Sequence, residues 1–305
     1  MVKDYRRTVT KLAVLMIMQF CLWFASSMVY MLACAMIPER YSSEAAECLE
    51  ELFFVILYAV SFGVPILVGR KLINREDRAD LSHKPPGTAA PMICVSIGVI
   101  FAFAYLNAVV TKPFDKIGFD AYTPDMSMTL SPITFFAKFI SLVIVPALLE
   151  ELLFRGIALG ALMPYGRVGA VVGSALLFAV MHQNPKQFLY AFAAGAAIGY
   201  FVSETGSLAL GVLIHTTNNF LSLVDMALMN SVEEKVLEAF STSLYFVVFA
   251  AAIIAVPVLI RTKKNGTEEE KEERRLPFLK NFFTPAMIVY FVMSAAYFAY
   301  VIMFV

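Results

Sequence analysis

The chain has 305 residues, 60% of them hydrophobic and only 16% charged. No water-soluble domain carries so apolar a surface, so the composition marks a polytopic membrane protein. Formal net charge is zero, which argues against a nucleic-acid surface. The four cysteines, Cys21, Cys34, Cys48 and Cys94, show no Cys-x-x-Cys spacing and read as apolar filler rather than as metal ligands or a disulfide framework.

Apolar runs bounded by polar breaks predict an all-α transmembrane bundle of about nine spans, at roughly 10–37, 51–70, 90–111, 132–163, 167–184, 186–203, 207–229, 238–260 and 283–305. Eight is the alternative, because the breaks at 164–167 and 184–186 are only a few residues long. The first run follows Lys3, Arg6, Arg7 and Lys11 and ends in small residues, as a secretory signal does. It exceeds the roughly 7–15 apolar residues of such a signal and reads as the first span.

Between spans two and three lie Arg70, Lys71, Arg75, Arg78 and Lys84. Between eight and nine lies the mixed charge run 261–280, which reads as a solvated loop. The connections at 37–50 and 230–238 are acidic, with Glu39, Glu44, Glu47, Glu50, Glu233 and Glu234. Nine spans with a cytoplasmic N-terminus put every basic loop inside and both acidic loops outside, so span count and charge pattern agree. The expectation is a multi-pass cell-membrane protein of one domain, 1–305, with a polar core at 130–230. Pro85, Pro86 and Gly87 form a turn before span three.

The informative departure from apolarity is in span four, where Glu150 and Glu151 are followed by Arg155. A charge at the bilayer centre costs roughly 3 kcal/mol or more, so such residues are functional until shown otherwise. Glu151 and Arg155 stand four apart on one helix face and can pair. Glu150 points about 100° away, and that pair does not neutralise it. A structural Glu–Arg lock therefore explains Glu151 and Arg155 but leaves Glu150 unexplained. Pro146, four residues before Glu150, removes one backbone hydrogen bond and can kink the helix there.

His182 falls in the last turn of span five, before Pro185. Taken alone, it is equally a helix cap or a water-bonded core residue. Phe178, one turn earlier, reads as packing. In span seven, His215 and Asn219 are four apart, share a face and can donate hydrogen bonds while neutral; interhelical bonding is their plainer use. Asn218 points elsewhere and reads as packing. At 1.5 Å per residue from the expected cytoplasmic ends, Glu150, His182, His215 and Asn219 lie roughly 20, 22, 13 and 18 Å deep. All four fall within the middle band of a core about 30 Å thick, so they can converge between spans four, five and seven. In span six, Gly195-x-x-x-Gly199 among alanines lets helices approach closely.

These residues resemble the three motifs of the CPBP family, which groups type II CAAX prenyl proteases with bacteriocin-processing and immunity (Abi) proteins. The motifs are Glu150-Glu151-x-x-x-Arg155, Phe178-x-x-x-His182 and His215-x-x-x-Asn219. The flanks Phe154, Arg155 and Gly156, and Thr205 to Leu208, agree as well. The resemblance covers about residues 130–230, and no motif position departs from the pattern.

It implies an intramembrane endopeptidase acting on a membrane-associated peptide or protein within the lipid bilayer. Carried over to this chain, Glu150 and His182 would activate water, and His215 and Asn219 would stabilise the oxyanion. Glu151 and Arg155 would hold the geometry. Glu150, His182 and His215 are also a conceivable zinc-ligand set, although no His-Glu-x-x-His motif is present. A metal-free glutamate mechanism is the slightly favoured expectation. Two other readings compete. One is a non-catalytic immunity or binding factor. The other is a proton-coupled transporter, which would use the same residue types but tends to show duplicated halves that are not evident in this chain.

Overall fold

The computed structural model describes residues 2–37, 41–115, 131–229, 231–264 and 281–304. Nine long helices occupy them: α1 Val2–Ala35, α2 Ser43–Leu72, α3 Ala89–Asp115, α4 Pro132–Tyr165, α5 Arg167–Met181, α6 Pro185–Thr205, α7 Leu208–Met229, α8 Glu234–Lys264 and α9 Pro285–Phe304. No named strand occurs among the described residues. The protein is a polytopic helical membrane bundle. Helices α1, α2, α3, α4 and α8 are each long and apolar enough to cross a membrane unaided. The charge run at 261–280 enters α8 as far as Lys264; its remainder lies outside the described residues, as do Glu39, Leu130 and Asn230.

Both short breaks are real helix ends with local causes. Gly166 takes φ +132°, which a side chain would strain, and so separates α4 from α5. His182 to Asn184 separate α5 from α6. There Asn184 caps α6 by accepting from the Lys186 N–H at 2.9 Å, and Pro185 takes the first helical position. One boundary differs from expectation. Helix α2 starts at Ser43 rather than near residue 51, because Ser42 caps it by accepting from the Ala45 N–H. The acids expected in a loop thereby join the helix, and Glu47 and Glu51 both pair with Lys138 of α4, at 3.1 and 2.7 Å.

Helix α4 is not uniformly wound. Two wider, π-helical stretches, Phe139–Ile144 and Leu152–Leu159, bracket an α-helical segment, Val145–Glu151, that carries both acids. Such bulges gather at functional sites because they re-aim side chains and loosen the backbone ladder. Pro146 falls between them. It has no N–H to offer the Leu142 carbonyl four residues back.

Apolar burial does not itself drive helices together in lipid, so close packing and interhelical polar contacts must hold the bundle. A Cβ on Gly195 of α6 would come within 3.0 Å of the Ala175 backbone and 3.3 Å of Phe178, so the missing side chain lets α5 and α6 close on the site. The connection after α2 is pinned down rather than loose. Ala79 N–H donates to Gly160 O at 2.9 Å, Leu208 N–H to Leu81 O at 2.9 Å and His83 N–H to Gly206 O at 3.0 Å. It thus straps α4 to the α6–α7 turn.

Gly195→Ala should lower thermal stability by about 1–3 kcal/mol, the usual effect of overpacking. Gly63→Ala, where an added Cβ meets nothing within 4 Å, should be neutral or slightly stabilising. Unfolding of the two variants in one detergent, side by side, tests the contrast.

Candidate active site

Glu151 and Arg155 are both fully buried, and Arg155 Nη1 donates to Glu151 Oε1 at 2.6 Å. The expected pair is present. Arg155 is further held by Nη2 donating to Gly195 O at 3.1 Å, and its guanidinium lies 4.7 Å from the Phe178 ring centroid. A desolvated cation–π contact of this kind contributes about 2 kcal/mol. Two carboxylates share the segment and one guanidinium serves one of them. Glu150 stays outside the pair, as the 100° offset between neighbours requires.

Glu151 has a second partner on α7. His215 Nδ1 lies 2.9 Å from the same Oε1 that takes the arginine proton. A carboxylate paired with arginine only accepts, so Nδ1 carries the hydrogen in this bond. The arrangement fixes the imidazole's tautomer and turns Nε2 toward Glu150, whose Oε2 lies 3.9 Å away. Glu150 is 5% exposed, and among the described residues its Oε2 has no hydrogen-bond partner. Its other oxygen, Oε1, accepts a hydrogen bond from the Tyr58 hydroxyl of α2.

His182 closes α5. Its Nδ1 lies 2.8 Å from Phe178 O, and since a carbonyl only accepts, Nδ1 donates there and Nε2 is left with its lone pair. Phe178 is more than filler. Its ring meets His182 edge-on at 4.8 Å, His215 at 5.7 Å and Phe154 at 5.3 Å, besides carrying the guanidinium. One aromatic ring therefore spaces the two imidazoles and the arginine.

Six predicted residues or neighbours thus come together: Glu150, Glu151, Arg155, Phe178, His182 and His215. Asn219 is tied to the backbone of α4. Its Nδ2 donates to Leu142 O at 3.1 Å, the carbonyl that Pro146 leaves without an α-helical donor. Asn218 is also not plain packing. Its amide donates to the Tyr190 hydroxyl at 2.7 Å and lies 3.2 Å from Asn219 Oδ1. Sequence reasoning missed Tyr58 and Tyr190, which belong to no motif. The one available signal for Tyr58 was the i, i+4 aromatic series Phe54, Tyr58 and Phe62.

Two carboxylates, a guanidinium and two imidazoles buried at one point make a polar centre within a helical membrane bundle, the kind of cluster that marks a candidate functional site. Residues 132–221 match the family described as type II CAAX prenyl endopeptidase Rce1-like. Over those residues the match supports the CPBP membership that the motifs suggest, and a membrane-embedded CAAX-type endopeptidase in general. No curated protein and no solved structure matches the chain. The matched stretch contains all six sequence-predicted site residues and excludes Tyr58.

Removing one partner of a buried ion pair leaves the other charge uncompensated, at about 3–5 kcal/mol. Arg155→Met should therefore lower stability by that amount and reduce yield in membranes. The double variant Arg155→Met with Glu151→Gln should recover part of the loss. A stable Arg155→Met protein would contradict the pairing.

Proposed function

We propose that this chain is an intramembrane endopeptidase that hydrolyses a peptide bond of a membrane-associated protein or peptide, with Glu150 as the base that activates water. The observation that carries the reading is Glu150 itself. It is a buried carboxylate with one oxygen held by Tyr58, the other unpartnered, and an imidazole nitrogen facing it at 3.9 Å. A buried acid with an unused oxygen weakens a packed bundle unless that oxygen is used.

The steps follow from which atoms carry hydrogen. Water placed at Glu150 Oε2 gives a proton to the carboxylate as its oxygen adds to the scissile carbonyl. His182 Nε2, with its lone pair free, accepts a hydrogen bond from the water's other O–H, which stays on the oxygen, and so orients the attack. The developing oxyanion needs donors, each typically contributing about 3 kcal/mol in a dry site. His215 donates from Nε2 when protonated, with Glu151 balancing the imidazolium through Nδ1. Asn219 Nδ2 has a second N–H beyond the one bound to Leu142 O. The proton held by Glu150 then passes to the leaving amine, and the peptide bond breaks.

Zinc chemistry would require Glu150, His182 and His215 to converge. Among the described residues no three His, Cys, Asp or Glu side chains form a group able to hold a metal ion, which supports the metal-free reading adopted for the steps above. The family description supports a prenylated C-terminal CAAX tail as the substrate class to try first. The positive-inside pattern supports a cytoplasmic N-terminus, with the strap after α2 and the 261–280 run on the same side. That topology fits a multi-pass protein of the cell membrane.

The test is a survey of new peptide ends in membranes carrying wild-type protein or Glu150→Gln at matched levels. Ends seen only with wild type are expected. Identical profiles would overturn the reading and favour a non-catalytic binding or immunity factor. Purified protein cleaving a farnesylated CAAX peptide should keep its rate after chelation with phenanthroline. Loss of activity restored by zinc alone would overturn the metal-free mechanism.

A further inference from the structure

We infer that Tyr58 of α2, outside the family-matched stretch, is a positioning residue that aims Glu150 at the water and the scissile carbonyl. The inference rests on the peptidase reading. A glutamate side chain has three rotatable bonds, and among the described residues one hydrogen bond ties the Glu150 carboxylate down: the Tyr58 hydroxyl donating to Oε1. With Oε1 so held, Oε2 is the oxygen left facing His215 Nε2. Without that donor the carboxylate has no other hydrogen bond among the described residues, since His215 Nε2 at 3.9 Å is beyond hydrogen-bond range.

Tyr58 is itself built into place. Its ring stacks on Phe62, with centroids 4.5 Å apart and planes 18° from parallel, and Phe54 lies against its other side at 5.2 Å. Phe62 is fully buried. The helix that carries this ladder is fixed to α4 on both sides of the tyrosine. One end is fixed by Lys138 with Glu51 and Glu47, and by the Ser141 hydroxyl donating to Glu51. At the other end Gly69 lets Ile157 approach so closely that a Cβ would sit 2.8 Å from its side chain. Residues 51, 58, 62, 65 and 69 recur at helical spacing, so one face of α2 carries the ion pairs, the hydroxyl and the close approach.

The residue type suits the task. A phenol is a neutral donor on a rigid apolar body, so it can reach a carboxylate within the bundle without adding a charge. A lysine or arginine in its place would neutralise Glu150 and remove its use as a base.

The experiment compares wild type, Tyr58→Phe and Phe54→Leu in detergent, with a farnesylated CAAX peptide as the probe. It measures kcat, KM and thermal unfolding for each. Tyr58→Phe deletes only the hydroxyl and keeps the aromatic ladder. It should lower kcat by about 10- to 100-fold, the loss expected for one charge-assisted hydrogen bond. KM should stay within about twofold, and the unfolding midpoint should fall only slightly, as one buried acceptor loses its donor. Phe54→Leu, which loosens the ladder but keeps the hydroxyl, should lower the midpoint more than Tyr58→Phe does and lower kcat less. In a Glu150→Gln background, Tyr58→Phe should cause no further loss. Full kcat in Tyr58→Phe would overturn the inference alone. So would a fall in kcat that tracks a fall in midpoint in both variants, since that is a structural role. A wild-type protein that cleaves no membrane peptide in the survey above would overturn the peptidase reading and this inference with it.

Discussion

Glu151 accepts from Arg155 and from His215 through a single oxygen, and the rest of the bundle is arranged around that junction. A carboxylate so deep in an apolar protein is unstable unless it is both neutralised and hydrogen-bonded, and the penalty for ionised groups out of water is several kcal/mol each. Arg155 supplies the charge from one turn along the same helix. Gly195 O and the Phe178 face then hold the guanidinium from two other helices. Satisfying one acid therefore requires α4, α5, α6 and α7 to meet at a single point, which also brings both histidines there. The neighbouring acid, offset around the helix, is left for another use.

The backbone of α4 makes this junction possible. An uninterrupted α-helix would present Glu150 and Arg155 at fixed angles with every carbonyl occupied. The two π-helical stretches widen the helix on both sides of the acids, and Pro146 withholds a donor from Leu142 O. Asn219 supplies that donor from α7, so the distortion is also a point of attachment. Both wide stretches, the attachment and both acids fall within residues 139–159 of one helix.

Parts of the molecule outside the matched stretch complete the centre. Helix α2 is held along α4 by the Lys138 cluster, by Tyr58 and by the close approach at Gly69. The connection after α2 lies over the end of α4 and the α6–α7 turn, where Gly206 at φ +63° leaves room for His83. A Cβ at Gly206 would sit 2.5 Å from the His83 ring, so the turn and the strap fit only because this residue has none.

Much of the fold was legible in the sequence because the membrane imposes a coarse rule: an apolar run of sufficient length becomes a helix, and polar breaks end it. That rule determined nine helices, and the spacing of Glu151 from Arg155 determined their pairing, since both lie within one regular element. The motif residues Glu150, His182 and His215 were legible for a similar reason, as ionisable groups stand out against a lipid-like background. The start of α2 was misplaced by eight residues because Glu44, Glu47 and Glu50 look like a loop until Lys138 is seen to pair with Glu47 and Glu51. Only the tertiary structure decided which nitrogen of His215 faces Glu150, that Phe178 spaces the imidazoles, and that Asn219 is bound to Leu142. Only it revealed Tyr58, which lies 92 residues from Glu150 along the chain. Contacts between different helices carry no period in the sequence, so no spacing announces them. They follow from how the helices pack, and packing is set by the whole bundle at once.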